Sequence, residues 1–123
     1  MVNAEFLDSS YKIPGGGWIS SAEDMARFEI AILNNKLMQR ATRDAMWTPQ
    51  KTTSGAENGY ALGWGTMAIN GTPTFAHSGG QQGTSTYFVV APEKRKGIVV
   101  LTNMDGAGAR NLGVDLMKIV LSP

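Results

Sequence analysis

The sequence predicts an α+β domain, in which an antiparallel β-sheet has two helices before it and a C-terminal helix packed on one face. Apolar residues recur at helical spacing between residues 20 and 47 and again from residue 109. Between them, from residue 60 to residue 102, apolar, aromatic and β-branched runs alternate with short turns. Short connections favour antiparallel pairing of consecutive strands. The chain has 123 residues, enough for one domain, and we expect residues 1–123 to form a single unit.

Two helices are predicted in the N-terminal part. Residues 1–19 are expected to be irregular, because the three glycines that follow Pro14 disfavour a helix. Ser20 is expected to cap the first helix, with Glu23 closing a capping box. The apolar positions of this helix are Ala22, Met25, Ala26, Ile30, Ile32 and Leu33. The second helix is predicted from Arg40 to Trp47, with Ala41, Ala45 and Met46 inward, and Pro49 prevents its continuation.

Four strands and a closing helix are predicted to follow. The strands cover residues 60–67, 74–77, 84–90 and 98–102, and the last, a continuous apolar run, is expected to be buried. Asn70-Gly71 indicates a tight turn, residues 79–83 a glycine-rich link, and residues 92–97 a charged hairpin loop. The helix is predicted over residues 109–121, and its packed side is formed by Leu112, Leu116, Ile119 and Val120.

Composition excludes several functions. Hydrophobic residues make up 42% of the chain and charged residues 17%, which is typical of a globular protein. The net charge of +1 gives no electrostatic reason to expect a nucleic-acid or membrane-surface partner. Cysteine is absent and His77 is the one histidine, so disulfides, thiolate catalysis and a multi-histidine metal site are excluded. We expect no metal or other cofactor.

Membrane insertion and export are not indicated either. The sequence has no apolar run of the ~20 residues that a membrane span needs. Residues 1–6 lack the basic and apolar segments of a secretory signal, and the compartment stays open.

One short motif is interpreted as a chance match. Ser9 and Lys12 fit S-x-x-K, whose chemistry needs the amine one helical turn from the hydroxyl, so that it can take the hydroxyl proton. Pro14 and three glycines follow at once, so we expect no helix to hold Lys12 over Ser9.

The segment His77-Ser78-Gly79-Gly80 is a candidate functional site. It is predicted at the end of a strand, where glycines let a substrate approach the backbone and a backbone N–H can face a developing oxyanion. The alternative is that His77 packs at the strand end and the glycines only make a turn. Because neighbouring strand residues face opposite sides, His77 and Ser78 are not expected to form a nucleophile–base pair.

Polar residues before the last helix form a second candidate. Arg110, near the helix start, could hold a substrate carboxylate together with the backbone donors there, and Asn103 and Asp105 lie close by in the sequence. The alternative is a solvated helix terminus.

Several segments together resemble a known family, in the family's order. Residues 13–28 resemble the GG-x-x-S-x-A-x-D-x-A-R-F stretch of class C β-lactamase-like serine hydrolases, and residues 46–50 look like the segment that follows. Residues 60–64 are similar to the Y-G-L-G-W strand, with Ala61 in place of a glycine. Residues 77–80 look like the H-x-G version of the K-T-G box, and residues 91–93 and 99–103 like the hairpin after it. The chain is identified as a member of this superfamily, which includes β-lactamases, penicillin-binding proteins and esterases.

The resemblance implies a fold, a site and a substrate class. Intact members hydrolyse β-lactams, esters or D-amino-acid peptides through an acyl-serine intermediate. His77 and Ser78 would line the cleft, Gly79 would adjoin the substrate, and the N–H of Gly80 would be one of two oxyanion donors.

The resemblance also implies that this chain corresponds to the C-terminal part of a catalytic domain. The family's S-x-x-K lies far upstream of the segment at residues 15–17, and no tyrosine here is followed two residues later by asparagine, as in the second box. We therefore expect the chain alone to be inactive. Its expected partners are the N-terminal part of the domain or further copies of itself, and its substrate in the intact enzyme is a small acyl compound. The alternative is a non-catalytic binding or assembly module derived from the same fold.

Overall fold

The computed structural model describes Glu5, Phe6, Asp8 and residues 10–123 of the chain. In the N-terminal part, a 3-10 turn (Ser10–Lys12) precedes helices α1 (Ile13–Gly16), α2 (Ala22–Leu33) and α3 (Arg40–Met46). The remaining elements are strands β1 (Gly65–Ile69), β2 (Thr72–Gln81), β3 (Thr84–Ala91) and β4 (Lys96–Thr102), a 3-10 turn (Pro92–Lys94) between β3 and β4, and helix α4 (Ala109–Val120). None of these helices is long and apolar enough to cross a membrane.

The strands form one antiparallel sheet in the order β1-β2-β3-β4, which confirms the predicted α+β fold. The predicted Asn70-Gly71 turn joins β1 to β2, and both residues have positive φ (49° and 73°), as the favoured two-residue hairpin turn requires. A second two-residue turn, Gln82-Gly83, joins β2 to β3. These short turns fix the register of their strand pairs.

Helices cover both faces of the sheet. The first face packs against α4, and its buried cluster consists of Ile69, Ala76, Tyr87, Val89, Ala91, Val100, Ala109 and Met117. The second face packs against α2 and the end of α3, and its buried cluster consists of Ile32, Leu33, Trp47, Ala61, Trp64, Phe88 and Val90. Alternate residues of β3 serve the two clusters, because successive side chains of a strand point to opposite faces.

The N-terminal helices differ in detail from the prediction. Ser21 caps α2: its Oγ accepts the Asp24 N–H (3.1 Å) and donates to the Asp24 carboxylate (3.0 Å). The prediction of Ser20 and Glu23 is therefore wrong by one residue. Irregular chain was also the wrong prediction for Ile13–Gly16, which forms one helical turn. Its proline stands in the first turn, where the missing N–H removes no intrahelical bond.

In α3, Ala41 and Ala45 are exposed, contrary to the prediction. Trp47, just past the helix end, is 5% exposed and fills the core in their place. It stacks on Phe75 of β2, with ring centroids 4.9 Å apart.

The strand bounds also differ from the prediction. The first strand begins at Gly65 because Gly59 and Gly63 have positive φ (71° and 79°), which bends the chain between them. The predicted glycine link is shorter, because β2 continues to Gln81. Strand β4 is an edge strand, and Val100 is its one buried residue.

The packed side of α4 is not the predicted one. The four predicted residues are exposed: Leu112 by 50%, Leu116 by 36%, Ile119 by 69% and Val120 by 39%. The helix instead turns Ala109, Gly113 and Met117 to the sheet. Gly113 explains the choice, since a Cβ at this position would overlap the Tyr87 ring. The helix therefore comes close to the Tyr87 ring at Gly113.

Candidate active site

Strand β2 extends past the end of its neighbour β1. Strand β1 pairs with β2 only over Thr72–Ala76, whereas β3 pairs with β2 over Phe75–Gln81. In the described part of the chain, no strand lies on the β1 side of β2 beyond Ala76. We call residues 77–81 of β2 the open margin.

The register decides which backbone groups face outward at the open margin. A two-residue hairpin turn is flanked by a hydrogen-bonded pair, so Ile69 and Thr72 bond across the Asn70-Gly71 turn. Bonds to one neighbour alternate along an antiparallel strand, so the even-numbered residues of β2 direct their N–H and C=O groups toward β1. Past the end of β1, the same alternation directs those of Ser78 and Gly80 into the open margin.

His77 is exposed at the start of the open margin, and both of its ring nitrogens have hydrogen-bond partners. Nδ1 lies 2.7 Å from the Ser78 carbonyl oxygen. Nε2 lies 2.8 Å from the Tyr60 hydroxyl. The imidazole therefore lies along the sheet margin, outside the two buried clusters.

Tyr60 is a residue of this site that sequence analysis did not identify. It lies before β1 and forms an isolated bridge to Gly65. It lies 17 positions before His77 in the sequence, and only the fold brings the two rings together, edge to face at 74°. Its place in the motif at residues 60–64 was the one available signal.

Tyr60, His77 and Ser78 line a cavity of about 170 Å³. Arg110 reaches the same cavity from the first turn of α4, so the structure brings together these two sequence-predicted regions. Burial raises the pKa of the neighbouring Tyr87 phenol, and Arg110 beside it partly offsets this rise. Among the described residues that line this cavity there is one arginine and no carboxylate, so the site favours an anionic or neutral ligand.

The two glycines of the open margin are in different surroundings. A Cβ at Gly79 would overlap Oγ1 of Thr86, its cross-strand partner on β3. A Cβ at Gly80 would meet no atom within 4 Å. Gly79 is therefore required by packing, whereas the space beside Gly80 is open.

Other sequence candidates lie elsewhere. Asn103 is exposed on a second surface depression of about 640 Å³, together with Trp18 and with Gln81 at the end of the open margin. Asp105 accepts the Gly83 N–H (2.9 Å) and so holds the β2–β3 turn. The match at Ser9 lies outside the described residues. Within those residues, no cluster of three or more acidic or histidine side chains could hold a metal ion.

Comparisons with known proteins agree on one family. The sequence model of the Beta-lactamase family matches residues 1–120. The chain is similar to "Serine beta-lactamase-like protein LACTB, mitochondrial" of Homo sapiens, with 29% identity over 160 residues, covering 98% of this chain and 29% of that protein. It is also similar to "Penicillin-binding protein 4*" of Bacillus subtilis (strain 168), with 26% identity over 98 residues, covering 76% of this chain and 21% of that protein. The chain thus spans less than a third of the length of these relatives.

Proposed function

Since the chain belongs to the Beta-lactamase family, we propose that it supplies the sheet-side wall of an acyl-transfer site in a serine hydrolase. The observation that supports this proposal is the open margin, where β1 no longer pairs with β2 beside Gly79 and Gly80. Such an edge lets an acyl substrate lie along the strand and bond to its backbone.

In this proposal, the N–H of Gly80 stabilises the oxyanion that forms when the substrate carbonyl is attacked. The alternation along β2 directs this N–H outward, and no side chain stands over Gly80. His77 and Ser78 line the approach, and Arg110 attracts an anionic group of the substrate. The substrate is a β-lactam, an ester or a D-amino-acid peptide, as the family resemblance implies.

We propose further that the chain alone does not turn over such substrates. An oxyanion donor lowers a barrier only after a nucleophile has attacked. Ser78 lines the cavity, but among the described residues that line it there is no lysine that could take the proton of a serine hydroxyl, as the S-x-x-K chemistry requires. The nucleophile would come from another part of the same protein or from another chain.

Activity assays test both parts of the proposal. The chain alone is expected to leave nitrocefin and p-nitrophenyl acetate unhydrolysed above the buffer rate. Turnover that is abolished by His77→Ala or Gly80→Pro would show that the chain is itself a catalyst.

A chimera tests whether this chain can form the proposed side of the acyl-transfer site. In it, this chain replaces the matched region of the Bacillus subtilis relative, and hydrolysis of the same substrates is measured. Gly80→Pro removes the N–H, and we expect it to lower the rate by about 10²–10³. Gly80→Ala keeps the N–H and has room for its methyl group, so it is the matched control and should stay within a few-fold. A folded chimera without activity, or one in which both variants behave alike, contradicts the proposal.

The second candidate is a binding or assembly module without catalysis. The exposed apolar side chains of α4 favour it, since such surface is typical of interaction sites. Sequencing the DNA upstream of Met1 distinguishes the two. An in-frame S-x-x-K and a tyrosine box indicate the hydrolase, and a stop codon directly upstream indicates the module.

A further inference from the structure

We propose that Tyr60 is a positioning residue, which holds the His77 imidazole at the open margin as its Nδ1–H tautomer. The proposal stands on the two hydrogen bonds of the ring and on the way the backbone of Tyr60 is held. Only its consequence for catalysis rests on the proposed function.

The tautomer follows from the chemistry of the partners. Nδ1 lies 2.7 Å from the Ser78 carbonyl oxygen, which has no proton to give. Nδ1 must therefore donate. In the neutral imidazole, Nε2 is then the acceptor, and the Tyr60 hydroxyl, 2.8 Å away, donates to it.

The backbone of Tyr60 is held on several sides, which gives its side chain a rigid base. Its N–H donates to Asn58 Oδ1 (3.0 Å), and its C=O accepts the Gln50 N–H (2.9 Å). On either side of it, Thr66 donates to the Gly59 carbonyl (2.8 Å) and Ala61 donates to the Trp64 carbonyl (2.7 Å). A side chain on such a backbone can orient its partner, whereas one on a loosely held loop cannot.

The surroundings of Tyr60 and His77 offer few other groups that could exchange a proton with them. The other titratable groups that line the cavity are Tyr87 and Arg110, and among the described residues no carboxylate lines it. No carboxylate in this cavity therefore competes with Ser78 and Tyr60 for the ring nitrogens. Because Ser78 accepts from the ring at one side, the imidazole also covers the backbone carbonyl that precedes Gly79 in the open margin.

Nitrogen NMR of the full chain tests the proposal directly. His77 is the one histidine in the sequence, so the histidine ring signals of the uniformly ¹⁵N-labelled protein belong to it. Long-range ¹H–¹⁵N correlation at pH 8 distinguishes the two neutral tautomers by their nitrogen shifts. We expect the wild-type protein to show the Nδ1–H form. A predominant Nε2–H form overturns the proposal, and this measurement requires no variant to fold.

Variants then assign the effect to Tyr60. Tyr60→Phe removes the donor to Nε2 and leaves the ring, so we expect the nitrogen signals to move toward those of a tautomer mixture. Tyr11→Phe, an exposed tyrosine outside this cavity, should leave them unchanged. Identical histidine spectra for the wild type and a folded Tyr60→Phe protein overturn the proposal.

Kinetics separate this proposal from the proposed function. In the active chimera, Tyr60→Phe should lower kcat by about 100-fold at most, the size expected when a mutation misplaces a side chain that lines the site, with a smaller change in KM. If the chimera is inactive while the chain itself shows the Nδ1–H tautomer, the proposed function is contradicted and the positioning role is kept. If the chimera is active while the chain itself shows the Nε2–H tautomer, the positioning role is contradicted and the proposed function is kept.

Discussion

Glu29 offers a quantitative test of the packing between α2 and the sheet. Glu29 is 7% exposed, and a Cβ at Gly97 of β4 would overlap its carboxyl group. No ion pair among the described residues includes it, and Arg95 of the nearby hairpin donates to Asn34 instead (2.8 Å). Burial raises the pKa of Glu29 from 4.5 to about 7. The folded protein therefore resists ionisation of this group.

The sign of the stability effect follows from the direction of this shift. The neutral carboxyl is favoured in the folded state. Below pH 4.5 the group is protonated in both the folded and the unfolded protein, so Glu29 does not lower the free energy of unfolding there. The cost grows as the pH rises from 4.5 and is complete above about 7. At 1.36 kcal/mol for each unit of pKa, the full cost is about 3 kcal/mol at most.

The perturbation is Glu29→Gln, which keeps the shape and removes the charge. At pH 8 we expect the free energy of unfolding to rise by between about 1 and 3 kcal/mol, the lower figure allowing for an amide that is imperfectly hydrogen-bonded. At pH 4 the two proteins should differ little. Urea unfolding of both proteins at the two pH values measures this difference.

Glu23 provides the matched control on the same helix. It is an exposed residue paired with Arg27 (2.6 Å), so Glu23→Gln should lower the free energy of unfolding by less than about 1 kcal/mol. The reasoning is refuted if Glu29→Gln raises the free energy of unfolding, relative to the wild type, by no more at pH 8 than at pH 4. Burial without a cation would then not disfavour the charged carboxylate.

Three further predictions follow from glycine packing and from the exposed apolar surface. Gly79→Ala should lower the free energy of unfolding by about 1–3 kcal/mol through overlap with Thr86, whereas Gly80→Ala should change it little. Urea unfolding measures both variants, and equal effects of the two would contradict the register of β2 and β3. Gly113→Ala should also destabilise by about 1–3 kcal/mol, although alanine normally stabilises a helix, because its methyl group would overlap the Tyr87 ring; a raised melting temperature would contradict this packing. The chain is expected to self-associate, and light scattering should show a mass above that of one chain, reduced by Leu112→Ser with Ile119→Ser; a strict monomer at high concentration contradicts it.

Local patterns were sufficient for much of the fold. The Asn70-Gly71 turn, the four strands and the closing helix follow from short-range chemistry, since backbone sterics and the side-chain period act within a few residues. The family resemblance, based on residues 13–28 and 60–64 among others, is confirmed by the family match over residues 1–120. The errors lie where a contact with a distant residue decides the outcome.

Helix α4 shows most clearly what the sequence by itself determined and what only the tertiary structure decided. The sequence determined that residues 109–120 form a helix with a strongly apolar side, because helical spacing is a local property. It could not determine which side meets the sheet, because the choice depends on the Tyr87 ring, which only a helix face with a glycine can approach closely. The site divides in the same way. Residues 77–80 are recognisable as a motif, whereas the Tyr60–His77 contact and the open margin exist only once β1, which begins at Gly65, has paired with β2. Hydrogen bonds between residues far apart in the chain form only in the assembled sheet, and no local sequence pattern predicts them.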